Sequence, residues 1–145
     1  AALAIPFPNG TLLYDAVASA ADDILKPREG RKVIIVLSDG DDNGSRSTLK
    51  TAIEAAQRAD TLVYTFQIAP GPSHWARLST ETGGHYFPYG SSLPAAFSEI
   101  RYELRNQYSL GFDLQGTKPL VRSIKLRTKD KDFMVQARTS YYVAP

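Results

Sequence analysis

The fold of this chain is decided by the stretch Lys32-Val33-Ile34-Ile35-Val36-Leu37-Ser38-Asp39-Gly40. Its first six residues are mostly apolar and β-branched, and they lack the alternation of a strand that faces water on one side. Such a run is typical of a parallel strand that is covered on both faces. The run breaks at a small polar turn. The sequence therefore predicts a parallel strand over 32–37 that is covered on both faces, with Asp39 just beyond its carboxyl end.

Helices are predicted on either side of this strand. Apolar residues recur at helical spacing from Leu12 to Leu25, and Pro27 ends that run. A second run with the same spacing extends from Leu49 to Ala59. We expect Ser45 or Ser47 to cap this second helix, because serine side chains satisfy the free N–H groups of a first turn.

Strands and helices continue to alternate along the chain. Further strands are predicted over 62–68 and 85–87, and further helices over 74–82 and 93–106. This order favours right-handed crossovers around a mostly parallel sheet. The predicted fold class is therefore α/β, a Rossmann-like three-layer fold.

The pattern changes after residue 107. Residues 108–114, 121–128 and 133–142 are strand-like with no helix between them, and residues 129–132 form a polar turn. We predict two parts, an α/β domain over 1–107 and a C-terminal antiparallel β hairpin or meander over 108–145 that packs on it.

Composition narrows the classes of function. The chain has 145 residues, 43% of them hydrophobic, so it can bury a core, and a net charge of +2 gives no reason to expect a nucleic-acid partner. It has no cysteine, which excludes a thiolate metal site and a cysteine nucleophile. No apolar run approaches the roughly 20 residues that a membrane-spanning helix needs.

Motifs for catalysis are also missing. The sequence contains no Gly-x-Ser-x-Gly turn for a nucleophilic serine and no glycine-rich phosphate-binding loop. His85 is interpreted as strand-end structure, and Trp75 as part of the core or a lid. We expect a non-enzymatic protein. An α/β phosphohydrolase that uses Asp39 as nucleophile or metal ligand is the weaker alternative.

The acidic loop after the first predicted strand is the main candidate for a site. In open α/β sheets, ligands bind beyond the carboxyl ends of the strands. Asp39, Ser38 and the Thr11 hydroxyl offer the oxygen ligands that Mg²⁺ takes. The competing interpretation is that Asp39 and Asn43 only shape the turn and cap the next helix.

A calcium loop is a rival interpretation of the same residues. The stretch Asp39-Gly40-Asp41-Asp42-Asn43-Gly44 matches the opening of such a loop, Asp-x-Asp-x-Asn-Gly. The twelfth position of that loop should be a glutamate that binds through both oxygens, and here it is Lys50. The loop also follows a predicted strand instead of a helix. Both differences disfavour the calcium loop.

The order of several short motifs resembles a known family. Residues 9–16, which contain Gly10-Thr11, and residues 33–43, which contain Ser38-Asp39-Gly40, resemble the second half of a von Willebrand factor type A (VWFA) domain. Residues 103–112 and the closing residues 125–145 are similar to VWFA-related domains abundant in acidobacterial proteins. The resemblance implies a protein-interaction or adhesion module, and a location outside the cytoplasm, extracellular or periplasmic.

The resemblance also implies a metal-ion-dependent adhesion site. In the family, this site takes ligands from an Asp-x-Ser-x-Ser loop, a threonine and an aspartate. Thr11 matches the threonine and Asp39 matches the aspartate. The remaining polar residues of the loop would surround the ion without binding it directly; these are Ser38, Asp41, Asp42 and Asn43.

One part of the family pattern is missing, because no Asp-x-Ser-x-Ser occurs in this sequence. The resemblance implies that the family's first strands and first metal loop would precede Ala1, supplied by another chain or a longer parent protein. The strand over 32–37 would then be an apolar edge of the sheet in this chain alone.

Expectations for cofactor and partner follow from that gap. Mg²⁺, or Mn²⁺ or Ca²⁺, is expected only when the missing loop is present, with weak or no binding to this chain alone. The expected partner is a protein that offers an acidic side chain to the ion. The alternative is a metal-independent structural scaffold.

Overall fold

The computed structural model describes residues 10–111 and 121–142. Its main sheet has three parallel strands in the order β1-β2-β3, namely β1 (Lys32–Ser38), β2 (Thr61–Gln67) and β3 (Tyr86–Phe87). The central strand is β2. The predicted α/β class with a parallel sheet is therefore confirmed.

Helices precede, connect and follow the three strands. They are α1 (Leu13–Ser19), which continues as a π-helix over Ala20–Leu25, α2 (Leu49–Arg58), α3 (Arg77–Thr82), preceded by a 3-10 turn over His74–Ala76, and α4 (Leu93–Arg105). No helix in residues 10–111 and 121–142 is long and apolar enough to span a membrane.

The cap predicted for α2 was wrong. Thr48, and neither Ser45 nor Ser47, caps this helix, because the Thr48 hydroxyl accepts a hydrogen bond from the backbone N–H of Thr51 at 3.2 Å. Thr51 completes the cap with its own hydroxyl, which accepts from Thr48 N–H at 2.7 Å. Ser45 instead bonds to the nearby carboxylate of Asp42, and Ser47 bonds to that of Asp15, 32 residues away.

The sheet buries a different core on each face. On one face, Val63 of β2 packs with the apolar stripes of α1 and α2 and with Leu78 of α3. On the other face, Tyr64 and Phe66 pack against α4 through Ala96 and Ile100. This alternation follows from the period of two in a β-strand and gives the three layers that the sequence predicted.

The strand β1 forms one edge of the sheet in the part of the chain that the structure describes. Its residues Ile35 and Leu37 project to the face covered by α4, and both are exposed. They lie opposite Tyr64 and Phe66 of β2. Helix α4 packs over β2 and β3 and leaves this side of β1 open at Ile35 and Leu37, so the prediction that the strand is covered on both faces was wrong for these residues.

The C-terminal segment forms a small antiparallel sheet of β4 (Val121–Ser123) and β5 (Ser140–Tyr142). The predicted pairing is confirmed, and residues 129–132 form a turn, but the strands over 121–128 and 133–142 were predicted too long. Residues before β5 bond to the end of α3 and the turn after it, since Thr139 N–H donates to the Glu81 carbonyl at 3.2 Å and Gln136 Nε2 donates to the Gly83 carbonyl at 3.1 Å. Residues 108–111 form no strand, and 112–114 lie outside the described residues.

Candidate functional site

The acidic loop, residues 39–45, lies at the carboxyl ends of β1 and β2. The backbone N–H of Ile68, just after β2, donates to the Ser38 carbonyl at 3.0 Å. Gly71 approaches so closely that a Cβ there would lie 2.5 Å from the Asp39 carbonyl oxygen. The two strand ends therefore meet where the topology of a parallel sheet predicts a ligand site.

Thr11 lies against this loop. The backbone N–H of Asn43 donates to the Thr11 carbonyl at 2.9 Å. The neighbouring Gly10, at φ +152°, also lies close to the loop, since a Cβ there would be 2.5 Å from the Asn43 carbonyl oxygen. Thr11 is exposed, so its contact with the loop is made through the backbone. The two segments that carry the predicted metal ligands are thus in direct contact.

Local hydrogen bonds hold the Asp39 carboxylate in place. Its Oδ1 accepts from the backbone N–H of Asp41 at 3.2 Å and from the Ser38 hydroxyl at 3.3 Å. Ser38 is buried, and its Oγ also accepts from Gly40 N–H at 3.1 Å. Within residues 10–111 and 121–142, the hydrogen bonds to Asp39 all reach Oδ1. The second oxygen, Oδ2, accepts none of these bonds.

Asp42 has a structural contact that its sequence position did not reveal. Its Oδ1 accepts from the backbone N–H of Tyr14 at 3.1 Å and from the Ser45 hydroxyl at 2.6 Å, while Oδ2 accepts from Ser45 N–H at 3.2 Å. Oδ1 therefore joins the loop to the first turn of α1, while Oδ2 holds the loop to itself.

Asp15 of α1 makes a second contact, with the two residues that follow Ser45. Its two carboxylate oxygens accept from the backbone N–H groups of Arg46 at 2.9 Å and Ser47 at 2.7 Å. Hydrogen bonds from the Ser47 side chain and from these two backbone groups lower the pKa of Asp15 below its ordinary value. Asp15 was not among the predicted site residues, because it lies 31 residues from Arg46 in the sequence.

The remaining predicted residues, Asp41 and Asn43, are exposed on the outside of the loop. Behind the loop, Trp75 is completely buried, as predicted for a core residue. Its ring packs directly on Gly40, where a Cβ would lie 2.2 Å from the indole nitrogen. Trp75 also meets Tyr86 edge to face at a centroid distance of 6.2 Å. The loop thus lies on a rigid aromatic base.

Comparison with known proteins gives one match. The family model of the von Willebrand factor type A domain matches residues 4–95, which is more than half of the chain. The matched range includes both Thr11 and Asp39, and it ends within α4, before the small C-terminal sheet. No curated protein and no solved structure matches the chain.

Proposed function

The chain belongs to the von Willebrand factor type A family, and we propose that it is a non-enzymatic module that binds a protein partner at the edge formed by Thr11 and the acidic loop. The observation that carries the proposal is the Asn43–Thr11 hydrogen bond of 2.9 Å, which joins the two segments at the carboxyl ends of the strands. A location outside the cytoplasm is proposed from the family resemblance alone.

A divalent cation is the second part of the proposal. The Thr11 hydroxyl and Oδ2 of Asp39 would hold it, since both are oxygen ligands of the kind that Mg²⁺ prefers. Two protein ligands do not fill the near-octahedral set of Mg²⁺, and the fit is therefore partial. When bound, the ion would offer an open coordination position to an acidic side chain of the partner.

The absence of the Asp-x-Ser-x-Ser ligands bears on which part of the family's domain this chain corresponds to. We infer that the three parallel strands correspond to the later half of the family's sheet, similar to that of acidobacterial VWFA-related domains. The support is that the sequence carries the threonine and aspartate motifs in family order and no Asp-x-Ser-x-Ser. Another chain, or another part of a longer protein, would supply that loop, and Mg²⁺, Mn²⁺ or Ca²⁺ would bind strongly only then.

The alternative of a metal-independent scaffold has its own support. The carboxylate of Asp42 accepts from backbone N–H groups of α1 and the loop, and that of Asp15 accepts from the backbone just after the loop. If Asp39 acts in the same way, the acidic loop only fastens α1 to the sheet.

Paramagnetic Mn²⁺ separates these two functions even when binding is weak. With the isotope-labelled chain, Mn²⁺ on the order of millimolar should broaden the backbone amide signals of Thr11 and residues 39–43. Asp39→Ala should abolish that broadening. The matched control is Asp41→Ala, which removes an exposed carboxylate from the same loop and should leave it intact. Equal broadening in wild type and Asp39→Ala, or none near Thr11, favours the scaffold.

A further inference from the structure

A second group of possible ligands lies away from the acidic loop, on the face of the sheet covered by α4. His85 Nδ1 is 2.9 Å from Oε1 of Glu99 and 3.4 Å from Oε1 of Glu103. One ligand atom from each of the three residues lies within 4.8 Å of the other two. Glu99 and Glu103 are four residues apart on α4, so their side chains share one side of that helix.

The strand pairing explains why His85 meets this helix. Thr65 of β2 pairs with Tyr86 of β3, and its N–H donates to the His85 carbonyl at 3.1 Å. His85 is therefore level with Tyr64, whose side chain faces α4. The imidazole stacks on Phe87 at a centroid distance of 4.5 Å and an angle of 14°, which fixes the plane of the ring.

Two further side chains are arranged around Glu103. Gln136 Nε2 donates to Oε2 of Glu103 at 3.2 Å and to the Gly83 carbonyl at 3.1 Å. This contact occupies one carboxylate oxygen and turns the other, Oε1, towards His85. Partners of this kind orient the ligands of metal sites in proteins.

The second independent observation is the hydroxyl of Tyr64. Tyr64 is 0% exposed, and its Oη makes no hydrogen bond of normal geometry within the described residues. The hydroxyl lies beside Glu103, and a buried donor that lacks a hydrogen bond of normal geometry costs stability.

We propose that His85, Glu99 and Glu103 bind one Zn²⁺ ion. An imidazole nitrogen with two carboxylates is a mixed ligand set that suits Zn²⁺, whereas Mg²⁺ and Ca²⁺ favour oxygen alone. Tetrahedral Zn²⁺ with bonds of about 2.0–2.2 Å needs ligand atoms about 3.3–3.6 Å apart. The distance from His85 to Glu103, 3.4 Å, lies in this range, and the distance from His85 to Glu99, 2.9 Å, is shorter. The fourth position would face solvent, because His85 and Glu99 are partly exposed.

Calorimetry with ZnCl₂ on the untagged chain tests this site. We expect one ion per chain, with binding weakened by about 100-fold or more in His85→Ala, and by about 10-fold in Tyr64→Phe, which removes only the supporting hydroxyl. The matched control is His74→Ala, because His74 is the only other histidine of the 145-residue sequence. Its affinity should equal that of the wild type.

If His85 only makes hydrogen bonds to Glu99 and Glu103 and binds no metal, the experiment gives a different result. In that case Zn²⁺ produces no saturable heat and no rise in Tm, or the affinity is the same in wild type and His85→Ala, and either outcome overturns the proposal. If His85→Ala does not fold, Glu99→Gln carries the same comparison, because its side chain is 46% exposed. Asp39→Ala should retain full Zn²⁺ binding, so this site and the function proposed for the acidic loop fail separately.

Discussion

The carboxylate of Asp42 accepts a hydrogen bond from the backbone N–H of Tyr14 at 3.1 Å, so the loop that follows β1 caps the helix that precedes it. The residue at the N-cap position of α1 is Leu12, which has no side-chain acceptor to offer. The cap therefore comes from 28 residues further along the chain. Helix α1 and the acidic loop are for this reason one structural unit.

Replacing Asp42 by alanine should lower the free energy of unfolding by about 1–2 kcal/mol, the usual cost of removing a helix cap. The loss has two sources, since both the Tyr14 N–H and the Ser45 N–H lose their acceptor. Urea denaturation followed by circular dichroism measures it. Asp41→Ala is the control, because Asp41 is exposed, and it should change stability by less than about 0.5 kcal/mol. Equal losses in the two variants would contradict the capping role.

Asp15 should make stability depend on pH in the acid range. Hydrogen bonds from Ser47 and Arg46 hold its pKa in the folded state below the value of about 3.9 in an unfolded chain. The contribution is therefore complete above the unfolded-state pKa, and it is lost as the pH falls through the lower folded-state pKa. Wild type should be more stable than Asp15→Asn at pH 7, and urea titrations towards pH 2 should show the difference shrinking. A difference that stays constant with pH would contradict this assignment.

Much of the fold could be predicted from the sequence where it follows from short-range pattern. The uninterrupted apolar run before Ser38 is found as a parallel strand, and its carboxyl end meets the end of β2, as chain topology requires. The contact between Thr11 and the acidic loop was expected from motif order. The metal-ligand roles of Thr11 and Asp39 stay predictions.

The contacts that escaped prediction join residues far apart in the chain. The hydrogen bonds from the backbone to Asp42 and Asp15 reach across about 30 residues, whereas the serines predicted to cap α2 lie within a few residues of its start. His85 lies 14 residues before Glu99 and had been interpreted as strand-end structure. Only the pairing of β2 with β3, and the packing of α4 over them, brings it to the two glutamates.

The C-terminal strands were predicted too long for a related reason. Residues 133–142 are strand-like in sequence, but Gln136 bonds to the turn after α3 and Thr139 N–H bonds to the last turn of α3. The Thr139 carbonyl still continues the ladder, since it accepts from Ile124 N–H at 2.8 Å. An alternating pattern predicts which side chains can be buried. It does not predict which groups the backbone will form hydrogen bonds with.

Gly40 tests how tightly the acidic loop packs on its aromatic base. Gly40→Ala should cost at least about 3 kcal/mol, because φ is +93° and the new Cβ would lie 2.2 Å from Trp75 Nε1. Gly30→Ala is the matched control. Its φ is +85° but nothing lies within 4 Å of its Cβ, so backbone strain alone should cost about 1–2 kcal/mol. The fluorescence of Trp75, the only tryptophan, follows both unfolding transitions. Equal costs would contradict the close packing.

Within the described residues, β1 is an edge strand with exposed apolar side chains, and we expect this edge to make the isolated chain associate with itself. An apolar edge strand with free backbone groups pairs readily with other chains, and a lysine on such an edge opposes pairing. Ile35→Lys should therefore reduce association in light scattering, with stability changed by less than about 0.5 kcal/mol, because Ile35 is exposed. Ile34→Lys, one residue away, places its charge against the core of α1 and α2 and should cost about 3 kcal/mol or more. If Ile35→Lys associates as strongly as the wild type, the edge of β1 is not the surface through which chains meet.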